Sequence, residues 1–303
     1  MNRRNFTKTL AGATLGTAGL ALGTVASSAR AVADSNTVET PFKTSVMLWT
    51  VMHDLPFEER LEKIAEAGYH AVELVGEYAK WSADDFRRYN KKRLELGITF
   101  DTTAGTHHGV GDPSLRQAFL ADVGAQLDIM QKIACPSLIV MSGNVVPGLS
   151  AQVQHDSCVE GLKRAADLVE GKGVTLLLEN IDLEENPHYY MWSVPEAFKI
   201  IEEVNHPQVK FLYDFFHAQI SGGNLIANLQ RHADKVGLVH IADVPGRHEP
   251  GTGEIDYMNI YKKLAELDYN HYVAMEFLPT GDPVKILSHA RQEALQAAQA
   301  FRP

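Results

Sequence analysis

Short apolar runs and longer amphipathic stretches alternate along the chain from about residue 42 to its end. Eight runs have strand length: 42–51 (FKTSVMLWTV), 70–76 (HAVELVG), 98–105 (ITFDTTAG), 137–143 (SLIVMSG), 174–181 (VTLLLENI), 209–217, 236–243 and 271–279. Most are apolar enough to be buried on both faces, as strands of a parallel sheet are. Around them, 57–67, 82–96, 114–134, 150–172, 193–204, 222–234, 256–267 and 283–300 carry apolar residues at three-to-four spacing with charges between, the pattern of helices with one buried face. Ala67-Gly68, Leu96-Gly97 and Lys172-Gly173 read as helix stops. Alternation of strand and helix calls for an α/β fold with a parallel sheet, and eight such units fit a closed (β/α)8 TIM barrel spanning 42–303. An open doubly wound sheet is the alternative. It usually carries a glycine-rich phosphate turn, and no GxGxxG follows the first strand.

Composition agrees with one globular domain. The 303 residues are 45% hydrophobic and 22% charged, with no low-complexity stretch to divide them. A net charge of −10, with no long Lys/Arg cluster, opposes nucleic acid and anionic membranes as partners. The N-terminus is separate: NRRNFTK, a weakly apolar run (LAGATLGTAGLALGTVA) and small residues around Ala29, Ala31 and Ala33 form a leader over residues 1–33. Arg3-Arg4 followed by Phe6 and Lys8 resembles a twin-arginine export signal. A Sec signal or an uncleaved anchor suits this leader less well, because glycines and threonines interrupt its apolar run. The expectation is engagement of the twin-arginine translocase, cleavage after Ala31 or Ala33, and a periplasmic or secreted protein with 34–41 as a linker and no stable membrane anchor. That route carries folded cargo, so a metal can be loaded before export. Cys135 and Cys158 read as two buried thiols rather than a disulfide, since no spacing rule pairs them.

Glu179, Asp214, His240 and Glu276 stand near the C-terminal ends of the last four expected strands, in LLLEN, FLYDFFH, LVHIAD and VAMEF. Each interrupts an apolar run, and a carboxylate buried there needs a partner. A divalent cation shared by all four would supply it. Three carboxylates and one imidazole with open positions suit Mg2+, Mn2+ or Co2+, and admit Zn2+. Such an ion chelates the vicinal carbonyl and hydroxyl oxygens of a hydroxy-ketone or hydroxy-aldehyde and stabilises the cis-enediolate left when the carbon between them loses a proton. Return of the proton to the neighbouring carbon is isomerisation; return to the opposite face of the same carbon is epimerisation.

From Leu178 to Pro279 the chain resembles the xylose isomerase-like TIM-barrel enzymes, and within them the hydroxypyruvate isomerase group and the ketose 3-epimerases. LLLENI, YDFFH, VGLVHIADVPGRHEPGTGEIDY and AMEF carry the resemblance, the part from His240 to Asp256 most specifically; the first four units match more loosely. The resemblance implies a divalent metal ion on Glu179, Asp214, His240 and Glu276, with the two glutamates as the acid/base pair. It also implies substrate contacts from His217, Arg247 and Glu185. A supporting or capping role for His217, and a helix-cap or surface role for Glu185, are the alternatives. His240 departs from the hydroxypyruvate isomerase pattern, which has Gln there, and agrees with the 3-epimerases. His107 or His108, after the third strand, is expected to line the pocket, and His53, Trp49 and Trp192 are candidates for its wall. Gly251, Thr252 and Gly253 are expected to let their loop approach the barrel mouth closely.

The expected activity is a metal-dependent isomerase or epimerase of a small sugar or hydroxy-oxo-acid, as a monomer or homo-oligomer. Hydroxypyruvate isomerase is the nearest label, whereas export favours a free sugar or keto-sugar. Two other classes stand beside it: a non-catalytic periplasmic sugar- and metal-binding protein, and a metal-dependent endonuclease. The endonuclease would need further His and Asp ligands and a basic groove, and both acidity and export oppose it.

Overall fold

The computed structural model describes residues 41–300; the expected leader at 1–33 and all but the last residue of the 34–41 linker lie outside the described residues. Eight parallel strands, β1 (Lys43–Met47), β2 (Ala71–Val75), β3 (Thr99–Ala104), β4 (Ser137–Val140), β5 (Thr175–Glu179), β6 (Val209–Asp214), β7 (Val236–Ile241) and β8 (Tyr272–Met275), pair in chain order, and β8 closes on β1. Helices α1 (Phe57–Glu66), α2 (Ala83–Glu95), α3 (Arg116–Ile133), α4 (Ala151–Val169), α5 (Val194–Val204), α6 (Phe215–Ser221), α7 (Leu225–His232), α8 (Tyr257–Glu266) and α9 (Pro283–Gln299) lie in the connections and after β8. The TIM barrel read from the alternation of patterns is the observed fold.

Its core has two layers. Met47, Ile139, Leu177, Leu212, Leu238 and Ala274 form a small cluster inside the barrel, while the larger cluster packs the strands against the helices. Strand residues are therefore covered on both sides, which is why these segments are apolar almost throughout. Local signals fix the helix starts. Ser82 and Asp85 form a reciprocal capping box at α2, and Asp282 caps α9 ahead of Pro283.

Two boundaries differ from the pattern. The run at 42–51 leaves the sheet at Met47 and turns through a short 3-10 segment, Leu48–Thr50. The run at 209–217 ends at Asp214, whose Oδ1 accepts the backbone N–H of His217 at 3.1 Å and starts α6. In both places buried apolar residues continue past the strand, so hydropathy alone does not mark its end. The helix expected at 222–234 begins at Leu225, after Gly222 and Gly223.

Cys135 and Cys158 are both free and buried. Burial pushes each thiol up, Cys158 to about 12, so neither is a nucleophile at neutral pH. Among the described residues no helix is long and apolar enough to cross a membrane.

One packing contact between α4 and α5 is sensitive to pH. His155, almost fully buried on α4, meets Glu196 at 2.6 Å and Glu203 at 3.0 Å. Burial alone would lower its pKa, but these hydrogen bonds outweigh burial and raise it above 6.5. A histidine raised on folding stabilises the fold fully below its unfolded pKa, and that stability is lost as pH rises through the folded value. The stability difference between wild type and His155→Gln is therefore expected to be about 1 kcal/mol near pH 6, discounted because both carboxylates are partly exposed, and to shrink towards pH 9. Urea unfolding across that range measures it; a difference that grows with pH contradicts it.

Candidate active site

Glu179 ends β5, Asp214 ends β6, His240 lies one residue from the end of β7 and Glu276 follows β8. Strand closure brings all four to one end of the barrel. Each is buried, and one donor atom from each lies within 4.8 Å of the others. Asn180 ties β5 to β6 by two hydrogen bonds of 3.2 Å to the Asp214 backbone, which fixes the height of Asp214. One Asp214 oxygen caps α6. The other, Oδ2, is buried with no hydrogen-bond partner. Nδ1 of His240 faces Glu276 Oε2 at 2.8 Å and Glu179 Oε1 at 3.8 Å. A buried carboxylate oxygen that accepts no hydrogen bond and an oxygen-rich donor set with one imidazole are what a divalent cation fits, so these four residues could hold one.

Above this cluster opens a cavity of about 480 Å³, within the size range of small-molecule sites. Glu179 and Glu276 line it, whereas Asp214 and His240 do not. His217, Arg247, Glu185 and His107 are on its wall, as expected, together with Trp49, Thr106 and Asn186. Of the other candidates, His108 hydrogen-bonds Asp122 at 2.9 Å outside the lining, His53 is exposed, and Trp192 borders a separate surface depression.

Arg247 is the hinge of the arrangement. Its guanidinium contacts Glu276 Oε2 at 2.8 Å, Glu185 Oε2 at 2.7 Å and Asp214 Oδ2 at 3.6 Å, and lies over the rings of Phe216 and Trp49. Trp49 Nε1 donates to Glu276 Oε1 at 2.7 Å. Arg247 adopts φ of +56°, a left-handed conformation that costs a non-glycine residue about 1–2 kcal/mol and persists only where surroundings impose it. Here the surroundings are Asp243. Its two carboxylate oxygens accept four backbone N–H groups, from Val244, Gly251, Gly253 and Ile255, at 2.9–3.0 Å. The close approach is at Gly253, against the start of the same loop: a Cβ there would lie 2.0 Å from the Val244 carbonyl oxygen, whereas one on Gly251 would meet nothing within 4 Å.

Electrostatics separate the two cavity-facing glutamates. Burial, reinforced by Glu276, pushes Glu179 up to about 8. Burial pushes Glu276 the same way, but Arg247 and His240 outweigh it and hold it well below the usual range. Burial would lower His217, yet Asp214 and the Asp182 hydrogen bond at 2.5 Å raise it to about 9.

A family model described as the xylose isomerase-like TIM barrel matches residues 61–302. The chain belongs to the xylose isomerase-like TIM barrel family. It is 30% identical over 239 residues to the 2-oxo-tetronate isomerase of Pectobacterium atrosepticum, covering 78% of this chain and 90% of that one. It is 29% identical over 240 residues to the hydroxypyruvate isomerase of Escherichia coli (strain K12), covering 78% and 93%. A crystal structure of an AP endonuclease, family 2, from Brucella melitensis superposes with a TM-score of 0.75 at 27% identity, covering 84% and 99%.

In this member of the family, three buried acids support the site without having been singled out in the sequence. Glu73, in the middle of β2, receives Nε2 of His240 at 2.9 Å. Asp182, just after β5, holds Nδ1 of His217 and also accepts the backbone N–H groups of Glu184 and Glu185. Asp243 orders the Arg247 loop. Glu73 did carry a signal, an ionisable residue inside the apolar run HAVELVG, the same signal that marked the four cluster residues.

Proposed function

We propose that this barrel is a metal-dependent isomerase or epimerase of a sugar or hydroxy-oxo-acid, moving a proton through a cis-enediolate. The observation that carries the reading is the division within the cluster: all four residues converge, but only Glu179 and Glu276 reach the cavity. Asp214 and His240 are thereby left to hold an ion. The two glutamates can do more. They come from β5 and β8, which flank β6 and β7, so they approach a substrate from two sides of the Asp214–His240 pair.

When bound, a divalent cation on Glu179, Asp214, His240 and Glu276 supplies Lewis-acid polarisation of two adjacent substrate oxygens. One glutamate takes the proton from the carbon between carbonyl and hydroxyl, and the other returns it. Arg247, with His217 beside it at 3.4 Å, places positive charge and donors where the oxygens of the enediolate develop charge. Trp49 and Phe216 flank the guanidinium and limit access of water to it. Glu185 and His107 line the same cavity outside the four-residue cluster and are available to the remaining groups of the substrate.

The names of the relatives favour a small acid carrying a 2-oxo group beside a hydroxyl, or a sugar with the same pair of oxygens. Nuclease action has less support. A duplex-binding face needs positive charge, whereas the chain carries −10 and the cavity's one arginine is already engaged by Glu276 and Glu185. Incubating Mn2+-loaded protein in D2O with 2-oxo-hydroxy-acids, aldoses and ketoses tests the reading. Deuterium is expected at the carbon next to the carbonyl of at least one substrate, with loss of labelling after chelation. Turnover unaffected by chelation, or conversion without label from solvent across all substrates, counts against it.

A further inference from the structure

Glu73 has no exposed surface and no route to the substrate, yet it touches the one imidazole of the cluster. It comes from the barrel half opposite the four cluster residues in chain order, on β2, level in register with Met47 and Thr102. Its Oε2 lies 2.9 Å from Nε2 of His240, while Nδ1 of the same ring faces Glu276 and Glu179. His240 is itself fully buried, so water has no access to either nitrogen from the surface. A carboxylate is an acceptor only, and a neutral imidazole bears its proton on one nitrogen. Glu73 therefore calls for that proton on Nε2, which leaves Nδ1, on the side of Glu276 and Glu179, with a lone pair to offer once a cation takes the place of the proton it shares with Glu276.

We propose that Glu73 is a positioning residue that fixes His240 as an Nδ1 donor to a divalent cation held by the cluster. This rests on the metal reading given above and deepens it. Outer carboxylates that orient a ligating histidine typically change metal affinity 10- to 100-fold when removed. Geometry makes the effect graded. Glutamine keeps the shape and can offer a weaker carbonyl acceptor to Nε2–H, whereas leucine offers none and frees the ring to rotate or to move its proton to Nδ1.

The test is Mn2+ titration followed by electron paramagnetic resonance, on wild type, Glu73→Gln and Glu73→Leu, with the visible spectrum of the Co2+ forms as a second readout. Unfolding midpoints in chelator check that the variants fold. Binding is expected to weaken about tenfold in Glu73→Gln and towards a hundredfold in Glu73→Leu, with a changed Co2+ spectrum in the leucine variant. Glu73→Gln alone decides the matter if the leucine variant does not fold. Wild-type affinity and an unchanged Co2+ spectrum in Glu73→Gln overturn the inference while leaving the metal reading intact. Failure of the wild type to bind Mn2+ or Co2+ overturns the metal reading itself, and this one with it.

Discussion

Glutamine in place of Glu179 is expected to abolish exchange of the substrate's carbon-bound hydrogen with solvent and to lower kcat by about 10²–10⁴, the usual range for a positioned acid or base. This is the cleanest substitution in the site. Among the described residues the Glu179 side chain makes no hydrogen bond, and its nearest charged partner is His240 Nδ1 at 3.8 Å, so an isosteric amide breaks little. The unfolding midpoint should stay near that of wild type. Glu276→Gln should lose exchange to the same degree but cost more stability. Glu276 Oε1 accepts from Trp49 and Oε2 meets both Arg247 and His240, and an amide has only one oxygen to offer. Solvent deuterium incorporation, measured beside thermal unfolding, separates the two effects. Retained exchange in either variant removes that residue from the proton path.

Removing the Asp243 carboxylate is expected to have the largest structural effect near the site. Four backbone N–H groups converge on it, that of Ile255 buried and the other three partly buried; a buried donor left without an acceptor costs about 1–3 kcal/mol and a partly buried one less. Asp243→Ala should therefore lose about 2–3 kcal/mol in urea unfolding, with relaxation of the loop towards water serving the partly buried donors. Asn is expected to fall between the two. Its oxygen can serve the Val244 and Ile255 pair or the Gly251 and Gly253 pair, while its NH2 opposes the other. The loop carries Arg247 in a conformation it would not adopt alone, so KM should rise with the loss of order. Hydrogen exchange over residues 246–255 reports this directly; unchanged protection in Asp243→Ala contradicts it.

Much of this was legible in the chain because a TIM barrel writes itself twice. Strands covered on both faces read as apolar runs, helices covered on one face read as three-to-four periodicity, and their alternation leaves few architectures. What blurred was the strand ends at the active face. Trp49 and Phe216 extend the apolar pattern beyond Met47 and Asp214 because they pack beside the site rather than in the sheet, and Phe215 because it packs on Tyr213 in the core. The four cluster residues were legible for the complementary reason: a charge at the end of an apolar strand has no local explanation. Glu73 met the same criterion, but its partner is 167 positions away on β7 and no nearby motif pointed to it. Asp182 carried no such mark, since it sits in the polar stretch after LLLEN where an aspartate is ordinary. Asp243 did close the run read as the seventh strand, but His240 in the same run drew the reading, and the importance of both aspartates comes from backbone N–H groups that converge only once the loops are folded.

Anomalous diffraction at the manganese absorption edge, from crystals of the protein grown with Mn2+, tests the four-donor site most directly. The expected result is one peak within bonding distance of carboxylate oxygens of Glu179, Asp214 and Glu276 and of Nδ1 of His240. A map with no peak among these side chains, or with manganese only elsewhere, contradicts it.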